Sequence, residues 1–306
     1  MTPDPHESAY AGLHGGDDTH WAFGTDVEDP LAGMDTSVPS GVDPAALAGY
    51  CLMLGDDALI FSQRLAQWCS RAPDLEEDIA LANIALDLLG QARLLLTRAA
   101  VADPRVVPVL PQGSPVPPED ALAFFRDESQ FRNVRLVEIE NGDFADIVVR
   151  LVLLTTWRLA LFCRVEAGRD PVLAAIGAKG VKELTYHRDY AARWFVTLGR
   201  GTATSRARLV AALDRVWPFA DELATTHEIE QIAAAQGFGA DPATVAAEVD
   251  EVLGEVFARG GVRRPQVPAA GRVLGGAGRN GRHTESMGLL LAELQVVARA
   301  HPLGRW

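Results

Sequence analysis

Lysine is almost missing from this 306-residue chain: Lys179 and Lys182 are the only two, while arginine is plentiful. The arginines are scattered and build no basic face, so a nucleic-acid interface is not expected. Cysteine is equally sparse. Cys51, Cys69 and Cys163 are odd in number and far apart, with no Cys-x-x-Cys pair. That excludes a disulfide framework or thiolate metal knot, and the three read as small buried apolar residues in a reducing compartment. Residues 1–44 lack Lys and Arg altogether, hold nine acids and account for -9 of the formal net charge of -13. Rich in Gly and Pro and without apolar periodicity, this stretch cannot offset its ordering entropy, so residues 1–43 are expected to form an acidic, flexible arm. Trp21, Phe23, Leu31 and Met34 are its candidate docking groups. The start also lacks a basic n-region and an apolar h-region, and its acidity argues against an organellar transit peptide, so a cytoplasmic chain is expected. The longest apolar tract, Ile147 to Cys163, is shorter than a membrane span and carries Arg150 and Arg158; it reads as a core helix, with no membrane partner.

Period-two alternation is absent too, and from Asp43 onward the apolar residues recur at helical spacing. Asp43 before Pro44 is a helix-start signal. Leu54, Ala58, Phe61, Leu65 and Trp68 share one face of a first helix that ends near Ser70. Asp74, three residues before Glu77, opens a second long helix that runs to about Val101. The Pro-rich stretch 104–120 must be an extended connector, followed by a short helix near Ala121 to Arg126. Long helices are expected over about 144–167 and 171–198, then shorter ones over 205–219, 221–235 and 242–258. A Gly/Arg-rich loop follows over 259–282, with Arg263, Arg264, Arg272, Arg279 and Arg282, and a last helix spans 285–300. The fold expected over 44–306 is one all-α domain, a four-helix bundle with accessory helices, whose second and third long helices are joined by a crossing connection.

Carboxylate-bridged di-iron bundles project a Glu from each of two helices and a Glu-x-x-His pair from each of the other two. The second helix here, within IALANIALDLLGQARLLL, has Leu88 and Gln91 at the pair positions; the fourth, within AKGVKELTYHRDY, has Leu184 and His187. Loss of two carboxylates removes most of the hard anionic ligation that iron or manganese needs. Asn83, Asp87 and Gln91 form a polar stripe spaced by four on an otherwise apolar helix, either facing inward or turned to water. If it faces inward, Asp87, Gln91, Lys182, Glu183 and His187 would fill the vacated core as a hydrogen-bonded cluster without metal.

Four ordered blocks carry a wider resemblance. LGDDALIFSQRLAQWCSRAPDLEEDIALANIALDLLGQAR, FFRDESQFRNVRLVEIENGDFADIVVR, GVKELTYHRDYAARWFVTLG and GRHTESMGLLLAELQ are similar to the structural C subunits of bacterial phenylacetyl-CoA epoxidases, the ring 1,2-phenylacetyl-CoA monooxygenases, from about Pro44 to Trp306. The resemblance implies a ferritin-like subunit with no catalytic residue and no cofactor of its own. It would pair with a catalytic A subunit that holds the di-iron centre and uses O2, with NADPH electrons arriving through a reductase, and with a further small subunit. It also implies that the coenzyme A thioester lies near the interface between subunits, at Gln130, Phe131, Arg132 and Asn133 of the QF-x-N segment and, more weakly, at Gln231, Ile232 and Ala233. The competing reading for Phe131 is core and for Arg132 a surface ion pair. Two alternatives remain from the residues. One is a di-iron or manganese oxidase in its own right, with Glu183 and His187 joined by Asp56 or Asp57; the other is a stand-alone helical interaction protein.

Overall fold

Helix starts follow local capping chemistry. In the computed structural model, which describes residues 33–304, Asp43 accepts from the Ala45 and Ala46 amides at 2.8 and 3.3 Å and opens α1 (Pro44–Ala66). Asp74 accepts from the Glu77 amide at 3.0 Å at the start of α2 (Leu75–Ala102). Asp143 caps α4 (Phe144–Val165), and Asp170 caps α5 (Pro171–Arg200), which begins on a proline whose missing amide proton costs nothing there. α1 ends earlier than its apolar pattern suggests, because Ser70 takes a left-handed φ of 68° and donates its amide to Asp78 at 2.8 Å.

These four long helices form the bundle, with α1 packed on α2, α4 on α5, and α2 on α5. Residues 103–143 cross between α2 and α4 and carry only α3 (Pro118–Phe124) and single 3-10 turns. α6 (Ala203–Val216), α7 (Glu228–Gln236), α8 (Ala246–Gly260) and α9 (Glu285–Ala300) surround the bundle. The helix expected over 221–235 is split: residues Trp217–Ala224 are 3-10, and His227 restarts the chain as the cap of α7, its ring accepting from the Ile229 amide at 3.2 Å. Among the described residues extended pairing is limited to one isolated bridge, Val273 with Gly276.

α1 and α2 are both long and apolar enough to cross a membrane by composition. Most of the apolar window of α1, 89%, is buried inside the protein, against 44% for α2. The α4 tract Ile147–Cys163 is core: Arg150 is fully buried and donates to the Leu136 and Val137 carbonyls at 3.3 and 2.8 Å. The reading of all three cysteines as buried needs correction. Only Cys51 is; Cys69 lies in the turn after α1 and Cys163 on the outer side of α4, both free and exposed. Of the acidic arm, residues 1–32 lie outside the described residues, Trp21, Phe23 and Leu31 included. Its last part is tied to the bundle, with Arg98 donating to the Thr36 and Ser37 carbonyls and Arg169 to that of Ser40.

Candidate functional site

The two positions compared with the Glu of a Glu-x-x-His pair lie in the core of the bundle. Leu88 on α2 and Leu184 on α5 are both fully buried. Beside them Gln91 is 1% exposed and joins two charged groups: its carbonyl oxygen accepts from Arg158 Nε at 3.0 Å, and its amide donates to Glu183 at 2.8 Å. Arg158, fully buried on α4, also donates to the Leu54 carbonyl at 3.0 Å and lies over the Phe162 ring at 4.5 Å. Burial lowers its guanidinium to about 10, which leaves it a cation at neutral pH. Close approach of α5 is secured by Gly180, where a Cβ would sit 2.5 Å from the Phe162 ring.

The expected cluster is therefore only partly assembled. Residues four apart on a helix drift by about 40° per step, since a turn takes 3.6 residues. Gln91 is accordingly buried, Asp87 is partly exposed, and Asn83 lies on the outside. His187 meets Asp87 at 2.9 Å. Lys182 is not a member. It is exposed, one residue and a quarter-turn from Glu183, whereas Lys179, four residues earlier on the same face, makes the ion pair. Replacing Gln91 with leucine is expected to leave Arg158 and Glu183 short of a partner and to cost about 2–4 kcal/mol. A urea titration reads this directly, and unchanged stability would dismiss the network as inconsequential.

Asp56 and Asp57, adjacent and buried on α1, are held by arginines from distant loops. Arg126 grips Asp56 with both terminal nitrogens, and the Arg132 amide adds a bond at 2.8 Å. Arg279 grips Asp57 at 3.0 and 2.8 Å and donates to the Arg132 carbonyl at 2.8 Å. Burial opposes the Arg279 charge, but Asp57 and Glu230 outweigh it and hold the guanidinium above its ordinary value. Arg279 is thus no free cation of the Gly/Arg-rich loop. The end of that loop, residues 276–279, is buried, and Gly278 lies so close to the Asn133 carbonyl that a Cβ would stand 2.1 Å from it. Arg264 is paired with Asp250, while Arg263, Arg272 and Arg282 stay exposed.

These pairings bear on metal. The donor set does not fit a di-metal pair: Asp56 and Asp57 are consumed by guanidiniums, Glu183 by Lys179 and Gln91, and Arg158 brings a fixed positive charge among them. Among the described residues no three side chains of metal-ligating type converge.

Arg279 also brings together the two segments singled out for the thioester. It binds the Arg132 carbonyl and stands 3.8 Å from Glu230 of α7. Phe131 is core, stacked under Arg126 at 4.2 Å, and Asn133 is buried with its amide on Glu138 at 2.7 Å. Ala233 is buried as well. Gln130 and Gln231 are exposed, and Arg132 and Ile232 partly so. The Arg132 guanidinium has no ion-pair partner among the described residues and reaches only the Ser129 carbonyl, at 3.4 Å.

Below this surface His283 presents both ring nitrogens to acceptors, Glu138 at 2.7 Å and the Phe131 carbonyl at 3.2 Å. Burial opposes the imidazolium, but these acceptors outweigh it and raise the pKa above the ordinary value. A raised native pKa contributes stability that is complete below the unfolded value of about 6.5 and is lost as pH rises through the native value. The stability gap between the wild type and His283→Gln should therefore narrow as pH rises above about 6.5. A gap that widened over this range would show the ring to be neutral.

The profile of the phenylacetic acid catabolic protein family matches residues 34–306. The chain belongs to that family. Within it, the C subunit of the 1,2-phenylacetyl-CoA epoxidase of Escherichia coli (strain K12) is 43% identical over 260 residues, which is 85% of this chain and 99% of that relative. In this family member Leu88 of α2 and Leu184 of α5 are core residues, and buried arginines pair with the adjacent acids of α1. Of the residues that meet here, Leu88, Leu184, Asp87, Gln91, Glu183 and His187 are legible in the sequence. Arg126, Arg158, Arg279, Glu138 and Lys179 escape sequence reasoning, although arginines inside apolar tracts and two adjacent acids inside an apolar helix are signals for buried pairing.

Proposed function

We propose that this chain is the non-catalytic structural subunit of a multicomponent oxygenase that epoxidises the aromatic ring of phenylacetyl-CoA in aerobic phenylacetate degradation. The observation that carries the reading is the pair of buried leucines, Leu88 and Leu184, with the Arg158 cation beside them in a bundle of this family. A fixed guanidinium lets the four helices close without iron. The di-iron centre that activates O2 would be held by the catalytic A subunit, with electrons from NADPH through a reductase and a further small subunit in the complex. The assembly is placed in the cytoplasm, with no membrane or nucleic-acid partner.

α2 offers the pairing face. Leu75, Ile79, Leu86 and Leu89 are 69, 53, 63 and 45% exposed, and Tyr186 of the neighbouring α5 adds 53%. Obligate interfaces between subunits bury on the order of 2,000 Å² or more of largely apolar surface, and this stripe is suited to such a contact. The thioester would lie against Gln130, Arg132, Gln231 and Ile232, with Arg132 answering its phosphates. Phe131, Asn133 and Ala233 would shape that surface from beneath.

Iron analysis tests the assignment of roles. The chain purified alone should carry none, and co-purification with the catalytic subunit should yield an iron-loaded, phenylacetyl-CoA-oxidising complex. Stoichiometric iron in the isolated chain would overturn the proposal in favour of an oxygenase in its own right. Arg132→Ala in the assembled complex should weaken phenylacetyl-CoA binding about ten- to hundredfold, as expected for one charged hydrogen-bonding group. Unaltered affinity removes Arg132 from the site.

A further inference from the structure

One group of side chains is used neither by the arginine pairs nor by the thioester surface. On α5, Tyr186, Tyr190 and Trp194 follow at intervals of four, on neighbouring turns of one side of the helix. Tyr186 is exposed in the stripe proposed for pairing, Trp194 is half-buried, and Tyr190 is 5% exposed. Glu77, in the first turn of α2, accepts from both inner residues through one oxygen, Oε2: from the Tyr190 hydroxyl and from Trp194 Nε1, the latter at 2.6 Å. The Trp194 ring meets Phe144 edge-on with centroids 5.0 Å apart.

Tyrosine and tryptophan are among the side chains most easily oxidised by one electron. Loss of the electron makes the O–H or N–H proton strongly acidic, so a base already hydrogen-bonded to it takes that proton as the electron leaves. Glu77 is such a base for two donors at once. Burial, with the Glu77 hydrogen bond and charge, raises the Tyr190 phenol above its ordinary value, which keeps the proton on its oxygen at rest. Other buried aromatic donors lack this arrangement. Tyr50 donates only to the Ala240 carbonyl, at 3.4 Å, which is no base, and the Trp68 N–H has no acceptor among the described residues.

We propose that Tyr190, Trp194 and Glu77 form a proton-coupled one-electron relay that draws an oxidising equivalent away from the pairing face, where Tyr186 is its outermost ring. The oxidant is a strong one-electron acceptor, the class of species that O2 activation in a monooxygenase complex generates. It gains one electron; Tyr190 becomes a neutral phenoxyl radical, and its proton passes to Glu77 Oε2. Trp194 can then reduce Tyr190, which recovers its proton while the indole proton moves to the carboxylate. One electron from a soluble thiolate restores the resting state, and two of the resulting thiyl radicals couple to a disulfide. The relay belongs to this chain alone; only the source of the oxidant rests on the role proposed above.

Light-driven oxidation of the full chain tests the relay without a partner, with tris(bipyridine)ruthenium(II) as sensitiser and persulfate as electron acceptor. The chain has four tyrosines. In a Tyr10→Phe/Tyr186→Phe background only Tyr50 and Tyr190 remain, and electron paramagnetic resonance of the frozen sample should show a neutral tyrosyl radical. Adding Tyr190→Phe should abolish it. Glu77→Gln, which keeps a hydrogen-bonding oxygen but removes the base, should slow its formation about hundredfold in transient absorption. Should Glu77→Gln not fold, the rate in D2O decides in its place, because a proton that moves with the electron makes it slower. Absence of a tyrosyl radical, its persistence without Tyr190, or a rate indifferent to both Glu77→Gln and D2O overturns the proposal. None of these results bears on iron content or co-purification, so the relay and the assignment of roles fail separately.

Discussion

Replacing Asp57 with alanine is expected to destabilise the chain by about 3–5 kcal/mol, the usual consequence of removing one partner from a buried ion pair. Asp57 is fully buried, and it holds Arg279 at two points and the Val134 amide at 2.8 Å. Without it Arg279 keeps only carbonyls and the more distant Glu230, and Arg158 loses its nearby negative charge. The midpoint of thermal unfolding should fall by about 5–8 °C at this chain length. The double variant Asp57→Leu/Arg279→Leu should be markedly less damaged than the sum of the two single variants, because it leaves neither charge unpaired. Additive losses would mean that the two residues act through separate contacts, and that the ion pair does not clasp the 276–284 loop to α1.

Leu86→Asp should dissociate the proposed complex while leaving the chain itself intact. Leu86 is 63% exposed in the isolated chain, so the change should alter its own stability by no more than about 0.5 kcal/mol. In a contact with a second bundle the same carboxylate would be buried without a partner, at a penalty of several kcal/mol, which weakens association about 100-fold or more. Co-purification with the catalytic partner and calorimetry of the separate chain give the two readings. A complex that persists with Leu86→Asp would move the pairing surface away from α2. The companion face of α9, where Leu289, Val296 and Val297 are 68, 58 and 53% exposed, would then be the place to look.

Much of the bundle is legible in the sequence because its signals are local. Asp43, Asp74, Asp143 and Asp170 stand where caps must stand, each directly before the first residue of its helix. The helix over 285–300 agrees with its apolar pattern to the residue. Where the pattern misleads, a second local signal competes with it: Ser70 turns left-handed on Asp78, and His227 restarts a helix that apolar periodicity alone runs together.

The sequence by itself determined that this is a helical bundle of a particular family and that two ligand positions are leucine. Capping, periodicity and residue identity act over a few neighbours and need no knowledge of the rest. Only the tertiary structure decided which arginine answers which acid. Asp57 and Arg279 are 222 residues apart, Asp56 and Arg126 seventy, and Arg158 reaches Gln91 across 67. A guanidinium has several donors and a long stem, so its partner is set by where the loops and helices bring it, which no spacing along the chain encodes. Lys179 in place of Lys182, and Asn83 outside the cluster, are the same lesson within a single turn: helical phase and packing, not proximity in sequence, select the groups that meet.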